Sequence, residues 1–189
     1  MPNVIIISGA NGAGKSTLAP FLLRDTFGIA EYVNADTIAQ GLSAFAPEDS
    51  AFEAGRIMLE HLNQLAGDGK DFAFETTLAS RFYANWLKKL QSEDYQFHLV
   101  FLYLPNVNLA IERVRLRVRL GGHSIPEAVI RRRYVKGLHN FFELYRPIAD
   151  NWRFYEVSEK PLLIASGQKE DKIDIGKEGL WNEIQKLRN

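Results

Sequence analysis

The chain contains no cysteine, which excludes disulfides, thiolate metal sites and a cysteine nucleophile. That absence fits a reducing compartment. It also lacks net charge, since 23 Lys and Arg balance 23 Asp and Glu. The molecule as a whole therefore exerts no bulk attraction on nucleic acid or on an anionic membrane, and any basic surface must be local. No apolar run approaches the ~18 residues that a membrane-spanning helix needs. Residues 1–8 are apolar but too short for a secretory h-region with its cleavage site, so a cytoplasmic protein without a membrane partner is expected. With 189 residues, 46% hydrophobic and 24% charged, one well-buried domain over residues 1–189 is expected.

What is present alternates. Val4-Ile5-Ile6-Ile7 is a continuous β-branched run between Pro2 and Gly9, as a strand buried on both faces requires. Further strands are predicted at residues 31–34, 72–75 and 97–103, with helical periodicity between them at 16–25, 48–66 and 80–91. This order predicts an α/β fold: three layers, α/β/α, around a mostly parallel central sheet with right-handed crossovers. Residues 109–120 fit two templates. Arg113 to Leu120 alternates like a strand, while Ala110, Val114 and Val118 recur at helical spacing. A helix is preferred, because the next parallel strand needs a crossover. Pro126 is expected to begin a helix reaching about Ile148, with Ser124 as its N-cap. Short strands at 154–157 and 162–165 and a helix at 177–187 complete the prediction.

Gly9-Ala10-Asn11-Gly12-Ala13-Gly14-Lys15-Ser16 matches the whole Walker A pattern, G-x-x-x-x-G-K-S, between a predicted strand and a predicted helix. Glycines let backbone N–H groups turn inward around phosphates, and the new helix adds its unpaired amides and positive dipole end. Residues 9–16 with Thr17 are therefore predicted to bind a nucleoside triphosphate, ATP or GTP. Lys15 is expected at the β- and γ-phosphates, with the Ser16 hydroxyl on Mg²⁺. Thr17 stands where a dinucleotide-binding loop would have its third glycine, so that alternative is not met.

Chemistry around a triphosphate needs a base, an acceptor site and cations. Asp36 ends the second predicted strand, at the carboxyl edge of the sheet beside the phosphate loop. It can take the proton of a substrate hydroxyl, or it can cap a helix starting near Thr37. Glu75-Thr76-Thr77 ends the third strand at the same edge. An acid and a hydroxyl there can bind a hydroxylated acceptor or hold Mg²⁺ through water, or form a strand-end turn with a helix cap. The fourth strand ends in Leu104-Pro105-Asn106 without an acid, and no LSGGQ run exists, which argues against a mechanical ATPase. Arg113, Arg115, Arg117, Arg119 and Arg131-Arg132-Arg133 flank Gly121-Gly122-His123-Ser124. They read as a helical, arginine-rich lid, a solvated face or a nucleic-acid patch. On a helix Arg113 and Arg117 share a face, while Arg115 and Arg119 lie roughly opposite. His123 can donate to a phosphate or sit exposed in its loop.

Together the Walker A loop, Asn34-Ala35-Asp36, Glu75-Thr76-Thr77, Ile111-Glu112-Arg113 and residues 121–126 resemble the zeta toxin family of P-loop kinases, over about residues 4–142. Studied members of that family phosphorylate UDP-N-acetylglucosamine. The resemblance implies that Lys15 and Ser16 serve ATP and Mg²⁺ and that Asp36 is the base activating the sugar hydroxyl. It further implies that Glu75 and Thr77 contact the acceptor, that Arg113 bridges phosphates, and that an antitoxin protein is the partner. The family carries a second phosphate-binding arginine three residues before the lid proline, where this chain has His123. Arg117, Arg119 or one of Arg131, Arg132 and Arg133 is left to supply that charge. A kinase for a small hydroxylated acceptor is thus the leading expectation. A nucleotide-dependent switch and a nucleic-acid end kinase are its rivals, the latter disfavoured by zero net charge.

Overall fold

The computed structural model of the chain describes residues 1–23, 28–43, 47–169 and 173–187. Strand β1 (Asn3–Gly9) leads through α1 (Lys15–Phe21) and β2 (Tyr32–Val33) to α2 (Ala35–Leu42) and α3 (Ala51–Gly67). Then β3 (Phe72–Thr76), α4 (Phe82–Ser92), β4 (Gln96–Tyr103), α5 (Val107–Arg119) and α6 (Glu127–Asn140) alternate. Strands β5 (Asn151–Glu156), β6 (Leu162–Gln168) and β7 (Ile173–Ile175) and helix α7 (Glu178–Lys186) follow. The strands form one sheet in the order β2-β3-β1-β4-β5-β6-β7. Pairing is parallel from β2 to β5 and antiparallel through β6 and β7, so the sheet is mostly parallel as expected.

The β-branched run sits at the sheet's centre, where both faces are covered; Val4, Ile5, Ile6 and Ile7 are fully buried. Val4 and Ile6 join a core with Phe74, Leu99, Phe154 and Trp181, closed by Met58, Leu62 and Leu65 of α3 and Leu87 and Leu90 of α4. Ile5 and Ile7 face the other way, against Ala19 of α1 and Ala110, Ile111 and Val114 of α5. These two cores make three layers. Helix α6 belongs to both: Ile130 lies in the second core and Leu138 in the first. It therefore crosses the carboxyl end of the sheet, and the Tyr134 hydroxyl donates to the Leu104 carbonyl at 2.7 Å on the way.

Residues 109–119 are helical, with Leu120 as the C-cap, the crossover demand outweighing the strand-like alternation. The predicted helix from Pro126 does reach Ile148, but as α6, a π turn (Phe141–Tyr145) and a 3-10 turn (Arg146–Ile148). Pro147 within that last turn cannot donate the hydrogen bond that would continue an α-helix. The Ser124 cap does not form: Pro126 occupies the N-cap position, with no side-chain bond to the helix. The helix expected at 16–25 is helical from Lys15 to Phe21, and residues 24 and 25 lie outside the described residues. Among the described residues, no helix is long and apolar enough to cross a membrane.

Asp150 ties three elements together beside this sheet. Its Oδ2 accepts from the Phe97 N–H and the Gln91 amide, both at 2.8 Å, and its Oδ1 accepts from Lys169 at 3.2 Å. Burial alone would raise its pKa, but these donors outweigh it and the net shift is downward. A carboxyl with a depressed folded pKa stabilises above its unfolded pKa and loses that contribution as pH falls through the folded one. Asp150→Ala is expected to destabilise by about 2 kcal/mol at pH 7. The deficit should shrink in acid, below the ordinary carboxylate value of 3.8. Urea unfolding of both proteins across that pH range measures it.

Candidate active site

The glycine loop of residues 9–14 leaves the carboxyl end of β1 and enters α1 with Gly14 as its N-cap, at φ 80°. A side chain disfavours that left-handed backbone, and glycine does not. Gly12, at φ 82°, meets a second demand: a Cβ there would stand 2.7 Å from the Ala110 carbonyl oxygen of α5. The loop is thus seated against α5. Lys15 is 8% exposed, and its Nζ donates to the Gly9 and Ala10 carbonyls at 3.1 Å each. Burial holds its pKa below the usual lysine range. Glu75 and Asp36 pull it up, and Arg117 and Arg133 push it further down. Four charges from four elements therefore act on this one ammonium.

Ser16 and Thr17 are exposed in the first turn of α1, where the Thr17 N–H donates to the Gly14 carbonyl at 3.2 Å. The Ser16 hydroxyl donates to Glu75 Oε2 at 2.9 Å. The Tyr32 hydroxyl donates to the same oxygen, and the Asn34 amide reaches Ser16 Oγ at 3.4 Å. Burial, with the charge and hydrogen bond of Glu75, pushes the Tyr32 phenol far above its ordinary range, so it remains a donor. Among the described residues, no group of three or more His, Asp or Glu could hold a metal alone. Ser16 and Glu75 nevertheless supply hard oxygens beside the loop, which suits Mg²⁺, an ion usually completed by phosphates and water.

Asp36 is not the helix cap. Asn34 caps α2, its Oδ1 accepting from the Asp36 N–H at 2.7 Å. The Asp36 side chain, 49% exposed, points its Oδ2 to within 3.6 Å of His123 Nε2. His123 is not an exposed loop residue: its side chain is 14% exposed, and Arg117 Nη2 donates to its carbonyl at 3.3 Å. Among the described residues Arg117 Nε is buried without a hydrogen-bond partner.

Arg113 donates to the carbonyls of Gly12, at 3.5 Å, and Ser158. Arg133 reaches Asn11 Oδ1 at 3.4 Å from α6. Arg119 is not brought to the loop. It is exposed and lines a groove between α5 and α6 with Val118 and Pro126. Arg115 and Arg131 are paired with Glu127 at 2.9 and 2.7 Å. The arginine run is therefore divided between the loop and an ion-paired outer face rather than joined into one basic patch.

Thr77 follows β3, partly buried, and its neighbours make the strand-end turn. Thr76 Oγ1 accepts from the Leu78 N–H at 3.2 Å, and Leu78 sits buried at φ 55°. The Asn140 amide of α6 holds the Leu78 carbonyl at 2.7 Å, and Gly137 lets α6 approach the Thr77 carbonyl closely. Sequence reasoning did not single out Tyr32, and it named Arg133 only as one of three arginines. Strand alternation could have paired Tyr32 with Asn34 on one face, but the contact to Glu75 depends on register between strands.

No protein-family model matches the chain. An uncharacterized protein of Haemophilus influenzae is 28% identical over 130 residues, which is 69% of this chain and 91% of that protein. The AvrRxo1-ORF1:-ORF2 complex crystallised with ATP contains a similar fold, at TM-score 0.75 and 17% identity, covering 97% of this chain. This chain spans 63% of the length of the one it matches there. A structure of the PezAT chromosomal toxin–antitoxin system of Streptococcus pneumoniae matches at TM-score 0.65 and 16% identity, over 100% of this chain and 84% of the other. A gluconokinase from Sinorhizobium meliloti matches at TM-score 0.53 and 15% identity, over 84% of each chain. At such identities the likeness establishes the fold alone, a sheet layered between helices as the alternating pattern predicts.

Proposed function

We propose that this chain, on a fold it shares with a kinase and a toxin–antitoxin system, transfers the γ-phosphoryl group of ATP to a hydroxyl of a small acceptor. The observation that carries the reading is the convergence on Lys15. A phosphate cradle with a buried ammonium lies within electrostatic reach of a half-exposed carboxylate, Asp36, and of two arginines from separate helices.

In this reading the amides of residues 9–16 and the Lys15 ammonium bind the triphosphate at the α1 N-terminus. Ser16, with phosphates and water, would hold Mg²⁺, which would supply positive charge there. Asp36 accepts the acceptor's hydroxyl proton as the new O–P bond forms and the bond to the β-phosphate oxygen breaks, releasing ADP. Arg113, Arg117 and Arg133 neutralise the equatorial oxygens. The partnerless Arg117 Nε supports a role toward an anion, and it favours Arg117 over the exposed Arg119 for the second arginine that the family resemblance calls for. Glu75 and Thr77 stand on the acceptor side by that resemblance, which also makes a nucleotide sugar such as UDP-N-acetylglucosamine the first acceptor to try. A protein partner restraining the enzyme belongs to the same reading. It is supported by the two-component AvrRxo1-ORF1:-ORF2 and PezAT systems.

The test is a metabolite pool incubated with protein, ATP and Mg²⁺ and followed by mass spectrometry. A small hydroxylated compound is expected to gain one phosphoryl group, with ADP released in equal amount. ADP release that no sugar, nucleoside or nucleotide sugar accelerates would instead indicate a nucleotide-dependent switch.

A further inference from the structure

The connection between α5 and α6 brings His123 to one particular place. Helix α5 ends in a Schellman turn: the Gly122 N–H donates to the Arg117 carbonyl and the Gly121 N–H to the Val118 carbonyl, both at 3.0 Å. Gly121 takes the left-handed backbone this turn needs, at φ 90°. The chain is thereby doubled back on Arg117. A Cβ on Gly122 would stand 2.6 Å from Arg117 Cγ and 3.1 Å from its carbonyl oxygen, so glycine keeps the return close. The next residue, His123, is delivered to the tip of that arginine. Arg117 Nη2 lies 3.3 Å from its ring Nε2 and 3.3 Å from its carbonyl oxygen. Two residues further on, Ile125 packs against the second core and fixes the far side of the loop.

The same ring nitrogen faces Asp36 of α2, 3.6 Å from Oδ2. A guanidinium donates and accepts nothing, so of these two neighbours only Asp36 can receive a hydrogen carried on Nε2. The gap is longer than a hydrogen bond, and contacts of this length between catalytic groups tighten when reactants bind. A phosphoryl oxygen is the poorer partner. At Nε2 it would set a second anion beside the carboxylate, with one hydrogen between them. Asp36 also has use for such a hold. Asn34 fixes its backbone N–H but not its half-exposed carboxylate. Lys15 and Arg133, which feel its charge, are the cations assigned to the triphosphate.

We infer that His123 is a positioning residue for Asp36: it holds Oδ2 from the side of the α5–α6 connection and leaves Oδ1 for the acceptor's hydroxyl. It is not a phosphate ligand. This rests on the phosphotransferase reading with Asp36 as its base. It replaces the donation to a phosphate that the sequence allowed for His123.

The experiment is a double-mutant cycle on the whole chain, with His123→Ala, Asp36→Asn and the pair. Transfer is read as label passing from ATP carrying ³²P at its γ-phosphate into the small molecules of a metabolite pool. Affinity for a non-hydrolysable ATP analogue with Mg²⁺ is read by isothermal titration. His123→Ala is expected to slow transfer about 10-fold, with analogue affinity within about twofold of wild type. Added to Asp36→Asn, it should slow transfer by less than about twofold further, because the group it acts through is already disabled. His123→Gln keeps an N–H donor on a longer side chain and should recover most of the loss, and it carries the test if the alanine variant folds poorly. A full 10-fold loss on top of Asp36→Asn overturns the inference, as does unchanged transfer in His123→Ala. Weakened analogue binding in His123→Ala also overturns it and returns the residue to the phosphates. Wild-type protein that binds the analogue but labels nothing in the pool removes the phosphotransferase reading and this inference with it, a failure visible before any variant is made.

Discussion

Asp36→Asn is expected to lower phosphoryl transfer by about a hundredfold or more while leaving ATP affinity nearly unchanged. Asparagine keeps the size and hydrogen-bonding shape of the side chain but cannot take a proton. The variant isolates that one property because the carboxylate has no structural duty at the helix start. Asn34 caps α2 and holds the Asp36 N–H at 2.7 Å, so the cap survives the substitution. What is lost locally is a negative charge in the first turn, a helix-dipole contribution of about 0.3–1 kcal/mol, which leaves the fold intact. His123, 3.6 Å away, keeps a polar neighbour of the same shape and its backbone bond to Arg117. Single-turnover rates with saturating ATP, set beside nucleotide titrations, separate transfer from binding. Unchanged turnover would remove Asp36 from the mechanism.

Lys15→Ala is expected to weaken nucleotide binding by about 10- to 100-fold, the range for losing a charged hydrogen bond. The ammonium is already desolvated, so much of the penalty of placing a cation there is met in the folded protein before any phosphate arrives. Its attraction for a triphosphate is therefore poorly screened. The readout is the rise in unfolding temperature produced by ATP and Mg²⁺. A ligand at 100 times its dissociation constant stabilises by about 2.7 kcal/mol, and a hundredfold weaker ligand at the same concentration by about 0.4 kcal/mol. The nucleotide-induced shift should therefore nearly vanish in Lys15→Ala. The unliganded melting temperature should change little, because removing a buried ammonium offsets the two carbonyls it leaves, those of Gly9 and Ala10. An undiminished shift would show that the nucleotide binds elsewhere.

Two features of the site were legible in the chain for different reasons. The glycine loop is contiguous, so its geometry is written in adjacent residues: glycines at φ 82° and 80°, then a lysine and a serine opening α1. The run at 4–7 announced a strand buried on both faces, since only the centre of a sheet accommodates β-branched side chains pointing both ways. Other readings failed where a local signal had a competitor. Asp36 and Asn34 are both good caps, and only the backbone path decides that Asn34 takes the position. Ser124 was placed as a cap two residues early, because Pro126 itself holds the N-cap position.

The amino-acid order alone thus determined the alternating architecture and the glycine loop between β1 and α1, because each depends on neighbours in the chain or on periodicity within one element; Asp36, expected at a strand end, lies instead in the first turn of α2. Which residues meet was decided in three dimensions. Helix α6 crosses the sheet's carboxyl end and carries Arg133 to Asn11, while Glu127 on the same helix takes Arg115 and Arg131 out of the site. Parallel pairing of β2, β3 and β1 brings Tyr32, Glu75 and Ser16 together from 43 and 59 residues apart. Strand register and the direction of a helix across a sheet are settled by burying both faces at once, a constraint on the whole molecule that no short segment records.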